Sequence, residues 1–357
     1  MIDLRQRAYN AMLGLAVGDA ISWPAMFHRS FLLPFWTRRI RREIDAAAEN
    51  TNVIRPPMPF SLNRPAEAFA IGPTDDTEWA AFTAQQLLAQ DGHLTPEKIL
   101  AAWLELAQST APVRGGVSIQ AALSNLRQKK FPPASGNDNP HYFDDGALCR
   151  AVPIGIVCAG QPVEAAAMAA LEASVTNAED GVWAAQALAT WISVACAGGS
   201  VETAIAAAMG ILPKDSWARR TATQALSFCA STNSIFEIFP QLCDAIVNRE
   251  YSYGNVAPET LALALAIIKV TKGQFEPAVM AATMFAKTAD SVPALVGALS
   301  GTLCDKEIVS PEWIARFRKL HGICVPTLAG KDYSDLAERL ADLAARRLDE
   351  KGVILKS

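Results

Sequence analysis

The sequence predicts an all-α fold, and three observations carry the prediction. Ala- and Leu-rich stretches with apolar residues three and four apart run along nearly the whole chain, the spacing of one helix face. Alternating β-branched runs bounded by turns, the mark of strands, are nearly missing. Over 357 residues, 51% are hydrophobic and only 19% charged, enough for a large core. That balance excludes a disordered or collagen-like chain, which lacks the apolar surface to offset its ordering entropy.

Taken in order, the periodicity predicts helices over 78–90, 97–107, 117–128 and 163–173, then 179–197, 201–211, 217–230 and 236–248. Four more follow at 258–271, 275–285, 292–303 and 333–349. Start signals support several of them: Thr95-Pro96, Pro258-Glu259, and Ser334 ahead of the last amphipathic run. The apolar stretch Val182–Ala197 is broken by Gln186, Thr190 and Ser193, so it reads as a core helix and not a bilayer span. Val152–Val157 reads either as a strand or as a buried helix with Pro153 in its first turn. No repeat and no Gly/Ser or Pro-rich linker divides the chain, so one domain over 1–357 is expected. Two polar or Pro-rich stretches, 50–73 and 131–145, are expected as long surface loops, the kind that more often carry function.

Net charge is −4, and nothing in it favours nucleic acid or an anionic membrane as partner. The seven cysteines form no CxxC pair, which suits a reduced compartment. Asp3 and Asp19 interrupt the N-terminal region, no signal peptide is expected, and a cytoplasmic location follows. The four histidines (28, 93, 141 and 321) lack zinc spacing, and neither a Walker A motif nor a strand-linked GxGxxG occurs. The basic run Trp36–Arg42 reads as a phosphate grip or, more plainly, a solvated helix face.

The densest polar cluster is Thr74-Asp75-Asp76-Thr77-Glu78, set between Gly72-Pro73 and an apolar helix. Its oxygens suit a hard cation such as Mg²⁺. The same layout also suits a helix cap with acids in the first turn, although two adjacent aspartates exceed what a cap needs. Far downstream, Thr288-Ala289-Asp290-Ser291 repeats the pattern before another helix, with the same two readings. A third element is Asp144-Asp145-Gly146 leading to Arg150 and Pro153, and a fourth is Gly14–Ala20 with Asp19 inside it. Gly115, in Arg114-Gly115-Gly116, marks either a loop facing the pocket or a bare turn.

These elements, in this order, resemble the ADP-ribosylglycohydrolase family of the dinitrogenase-reductase-activating type. The family opens with GxAxGDAxGxPxE, matched by Gly14–Pro24, followed by TDDT, matched by Thr74–Thr77. A glycine loop ending in MR and a proline matches Asp144–Arg150 with Pro153, and GDxD[ST] matches Lys287–Ser291. The terminal DLAERLADLA is similar to the family's closing helix. The resemblance implies an all-α glycohydrolase that cleaves the glycosidic bond at C1 of ADP-ribosylated targets or a small ribosyl compound. It implies one or two Mg²⁺ or Mn²⁺ ions held by Thr74, Asp75, Asp76, Asp290 and Ser291, with Asp75 or Asp76 as catalytic base. Asp144, Asp145, Gly146, Gly115 and Asn177 are the implied substrate-binding positions. This chain departs from the pattern with Thr288 for the first acid of the last motif and Met26 for the acid of the first. Asp145 stands for the loop asparagine and Asn177 for a histidine, so a retuned pocket, one suited to nucleosides or small N-glycosides, and a catalytically silent ligand binder are the competing expectations.

Overall fold

The structure, a computed structural model, describes residues 2–29, 72–230, 232, 234–251, 253–285 and 287–351, with only the backbone of 22–29. The Pro-rich stretch 50–71, the basic run 36–42 and the side chains of Pro24, Met26 and His28 therefore lie outside the described residues. Among those described, the chain is helical throughout, and no strand longer than an isolated bridge occurs. In chain order the helices are α1 (Leu4–Arg29), α2 (Asp75–Ala89), α3 (Pro96–Gln108), α4 (Val117–Arg127) and α5 (Ala134–Asn137). Next come α6 (Leu148–Val157), α7 (Pro162–Ala173), α8 (Asp180–Cys196), α9 (Val201–Ile211), α10 (Trp217–Phe228) and α11 (Ile235–Ala245). The last are α12 (Ala257–Thr271), α13 (Phe275–Ala282), α14 (Val292–Gly301), α15 (Pro311–Phe317) and α16 (Tyr333–Glu350).

Each expected helix is found, with ends moved by a few residues. α6 settles the ambiguous segment as a helix beginning at Leu148, with Pro153 in its interior and not in its first turn. All ten of its residues are buried, which removes the one-sided periodicity that separates helix from strand in a sequence. The cap of α16 is Asp332, whose side chain accepts from Asp335 N, and not Ser334. Ser334 instead meets the Tyr9 hydroxyl at 2.8 Å. The stretch 131–145 is only partly a surface loop: it contains α5 and inserts Asn139, 1% exposed, between Ser118 and Thr176.

α12 and α14 form the centre, apolar nearly all round, and α1, α6 and α8 surround them. α1 crosses α14 at backbone contact, because a Cβ on Gly14 or Gly18 would run into the Gly297 or Pro293 carbonyl. α16 lays a stripe of Leu336, Leu340, Leu343 and Leu348 on the bundle, and Tyr333 at its start donates to Met12 O at 2.9 Å. Each such leucine contributes about 1.5–3 kcal/mol by leaving water. The close α1–α14 crossing brings the Asp19 end of α1 beside the start of α14 (Gly18 against Pro293), where the candidate site is built.

Candidate functional site

Asp19, 1% exposed on α1, organises the start of α2. Its Oδ2 accepts from Thr74 N at 2.7 Å, Thr77 N at 3.0 Å and the Thr77 hydroxyl at 2.6 Å, and its Oδ1 accepts from the Thr74 hydroxyl. Thr74 is the N-cap residue of α2, yet its side chain caps nothing. Glu78 is committed elsewhere: its carboxylate accepts from the backbone of Ile323, Cys324 and Val325 at 3.1, 2.7 and 3.0 Å. Of the five-residue cluster, then, Asp19 binds Thr74 and Thr77, Glu78 pins a loop, and Asp75 and Asp76 remain partly exposed.

The start of α14 shows the same economy. Ser291 is its N-cap residue and makes no side-chain cap bond; its Oγ meets Asn255 Nδ2 at 3.3 Å. Asp290 lies just ahead, partly exposed, and Thr288 is buried with its hydroxyl 3.4 Å from Phe285 O. Asp145 arrives from the third element, its Oδ2 accepting from the Thr260 hydroxyl at 2.7 Å and its amide donating to Asn255 O at 3.3 Å. Neither acid-bearing helix start is the plain cap that its sequence allowed.

Behind Asp145 stands a rigid wall. Arg150, fully buried, donates from Nε to both oxygens of Glu172 at 2.8 and 3.0 Å, and its Nη1 reaches Gly146 O. Its Nη2 reaches the Thr176 hydroxyl at 2.6 Å, and its guanidinium lies 5.1 Å from the Trp103 ring centre. Asn177 donates to the backbone carbonyls of Tyr142 and Asp144 at 3.0 and 2.8 Å and accepts from Thr176 Oγ1. Its amide is thus spent on shaping the loop that carries Asp145. Gly115 packs on Ile119 and Trp79, where a Cβ would crowd both, so the 114–116 turn lies against α2 three residues beyond Asp76.

Electrostatics ties these separate pieces together. Burial, then the charge of Asp75, raises the Asp19 carboxyl to about 6. Burial and then Asp144 raise Asp145 to about 6, against the pull of its Thr260 and Ser291 hydroxyl bonds. Asp75 is raised chiefly by burial. Asp76 is raised well above the usual range by burial, then by Asp75, Asp19, Asp290 and Asp145. Asp290 is raised likewise by burial, then by Asp75, Asp145 and Asp19. Acids from α1, α2, the 144–146 turn and the start of α14 therefore feel one another's charge. Cys149, at the first turn of α6, hydrogen-bonds Asp76, and burial holds its thiol protonated.

Whether a divalent cation fits here follows from the donors. They are carboxylates and hydroxyls, the oxygens Mg²⁺ or Mn²⁺ prefers, and their mutual repulsion is what a cation relieves. Thr74 gives its proton to Asp19, which leaves its lone pairs for an ion. Among the described residues no three acid, histidine or cysteine side chains stand at ligand distance of one point. An apolar cavity of about 820 Å³ between α11, α12 and α13, with Phe236 and Met280 in its walls, contains none of these acids.

Sequence reasoning set Asp75, Asp76, Asp145, Asp290 and Ser291 among its candidates, and the fold brings them together. It missed Thr260 and Asn255, which carry no local motif, and the loop-pinning task of Glu78. No described helix is long and apolar enough to cross a membrane. The family model for ADP-ribosylglycohydrolase matches residues 1–350. A solved structure described as an ADP-ribosylglycohydrolase-related protein complex superposes with a TM-score of 0.60 at 20% identity, covering 96% of this chain and 99% of that one. That likeness establishes the all-α fold. No curated protein matches the chain by sequence.

Proposed function

The chain belongs to the ADP-ribosylglycohydrolase family, and from that premise we propose that it is a metal-dependent hydrolase of the glycosidic bond at C1 of an ADP-ribosyl or related ribosyl compound. One observation carries the reading: acids far apart in sequence lie near enough to raise one another's pKa, and neither N-cap residue, Thr74 or Ser291, makes a side-chain cap bond. No described Lys or Arg is among the main groups that perturb Asp76 or Asp290, and the acids around them repel.

One or two Mg²⁺ or Mn²⁺ ions would be held by Asp75, Asp76 and Asp290 with the Thr74 and Ser291 hydroxyls, and would supply sugar-hydroxyl binding and charge neutralisation. Asp19 does the positioning: it fixes Thr74 and Thr77, and so sets where Asp75 and Asp76 point. Asp75 or Asp76 accepts the proton of the attacking water as the C1 bond breaks through an oxocarbenium-like state. Asp145, held by Thr260 and Ser291, hydrogen-bonds the sugar or the departing group.

The test is a panel of ribosides incubated with Mn²⁺ or Mg²⁺, read as free sugar released. Turnover that needs metal and disappears in Asp76→Ala, with an unchanged far-ultraviolet spectrum, is the expected result. Turnover that survives the substitution overturns the assignment. Tight riboside binding without turnover would instead make the protein a silent relative.

A further inference from the structure

α4 begins at Gly116, an N-cap residue with no side chain, and leaves its first amides to be satisfied from outside. A helix start of this kind, with Gly115-Gly116 before it and the reacting acids beside it, is where phosphate oxygens bind best. Here the place is taken by a carboxylate of the chain itself. Asp144, 4% exposed, accepts from Ser118 N at 3.1 Å through Oδ2 and from Gly146 N at 3.1 Å through Oδ1. Its Oδ2 lies 3.7 Å from where a Cβ on Gly116 would sit. The side chain is locked there by Asn177 Nδ2, at 3.3 Å from Oδ1. A phosphate approaching this turn meets a fixed negative charge, with Asp145 as its neighbour.

The surroundings offer something else. Phe143, next to Asp144, is bridged to the 251–256 segment: Asp144 pairs with Val256, and Ala257 N donates to Phe143 O at 2.9 Å. These two pieces of chain raise a wall of rings. His141 Nδ1 meets the Tyr251 hydroxyl at 2.8 Å, Tyr253 stands 5.2 Å from the His141 ring centre, and Phe143 abuts Tyr251 at 5.1 Å. The His141, Tyr251 and Tyr253 rings tilt against each other at 50–54° and Phe143 meets Tyr251 edge-on at 67°, so they do not stack among themselves, and Tyr253 is 70% exposed. Tyr251 lies close enough to Asp144 and Asp145 to feel both charges. An open aromatic face beside an acidic turn suits a flat, uncharged ring.

Resting on the glycohydrolase reading above, we propose that the substrate is a nucleoside: an N-riboside without phosphate on its sugar, whose base lies against the His141–Tyr251–Tyr253 wall. The reaction balances with water as the only co-reactant. The C1–N bond breaks and a C1–O bond to water forms. One water proton passes through Asp75 or Asp76 to the departing base nitrogen, giving free ribose and base.

The experiment compares matched pairs with Mn²⁺ present: adenosine, inosine and uridine against their 5′-monophosphates, with ADP-ribose alongside, read as free sugar and as binding by calorimetry. At least one nucleoside should exceed its monophosphate and ADP-ribose by at least tenfold in kcat/KM. Asp144→Ser should narrow that gap at least fivefold by improving the phosphorylated ligand. Should that variant fail to fold, salt decides: like-charge repulsion is screened, so the wild-type gap should shrink between 50 and 300 mM NaCl. ADP-ribose or a monophosphate preferred over every nucleoside overturns the proposal and leaves the glycohydrolase reading standing. A gap indifferent to salt overturns it too. If no riboside of either kind is bound or cleaved, both readings fall.

Discussion

Replacing Arg150 with methionine tests whether the wall behind Asp145 is held as described. In the native protein Arg150 is fully buried and Glu172 is 1% exposed, and every hydrogen bond of the Glu172 carboxylate described above comes from Arg150. Arg150→Met keeps much of the volume over Trp103 but leaves a buried carboxylate alone. It also strips a donor from Gly146 O and from the Thr176 hydroxyl. Breaking a buried pair from one side costs about 3–5 kcal/mol, whereas removing both charges costs far less than the sum. Equilibrium urea unfolding of Arg150→Met, Glu172→Leu and the double variant should therefore give a coupling energy of at least about 2 kcal/mol. The double variant should recover part of what Arg150→Met loses. A single-variant loss below about 1 kcal/mol, or strict additivity, would refute the argument that this pair braces the site.

Other consequences are as direct. Asp19 has a folded pKa of about 6 against an ordinary 3.8, so its contribution to stability is fully present below 3.8 and is lost as pH rises through about 6. That loss is on the order of 3 kcal/mol in metal-free protein. Unfolding free energies from urea at pH 4.5 and 7.5 should differ by about 2 kcal/mol of that in the wild type, since part is already lost at pH 4.5, and by less in Asp19→Asn; an equal difference in the two proteins would contradict it. Gly297→Val places a branched side chain in the α1–α14 crossing, against the Gly14 carbonyl, and should cost about 3 kcal/mol, the upper end for overpacking, read as a lower thermal midpoint. Glu78→Ala frees the amides of Ile323, Cys324 and Val325 and should raise hydrogen exchange at those amides while the core helices stay protected. Exchange unchanged at 323–325 would show that Glu78 does not hold this loop.

Asp75 and Asp76 stand out in the sequence because an acid doublet exceeds what one helix start needs, and in the structure neither N-cap residue, Thr74 or Ser291, caps its helix. Asp19 was visible as the acid of a Gly-Asp-Ala run, but its four bonds to Thr74 and Thr77 depend on a helix crossing that no local pattern encodes. Asn177 looked like a ligand-facing position. Its acceptors are carbonyls of residues 142 and 144, brought near only by tertiary packing. α6 reads ambiguously because burial on every side erases the helical period, and the seven residues of α15 carry too little of that period to mark a helix. The charge seated at the start of α4 was also invisible: Asp144 and Ser118 are 26 residues apart, and neither suggests the other.

The central claim is that Asp75 and Asp76 form a metal-dependent site, and Mn²⁺ calorimetry tests it most directly. Titrating Mn²⁺ into the metal-stripped wild type should show saturable binding, with the stoichiometry giving one ion or two. Binding should vanish in Asp75→Ala/Asp76→Ala while the helical spectrum is kept. A wild type that binds no Mn²⁺, or a double variant that binds it as before, would contradict the account.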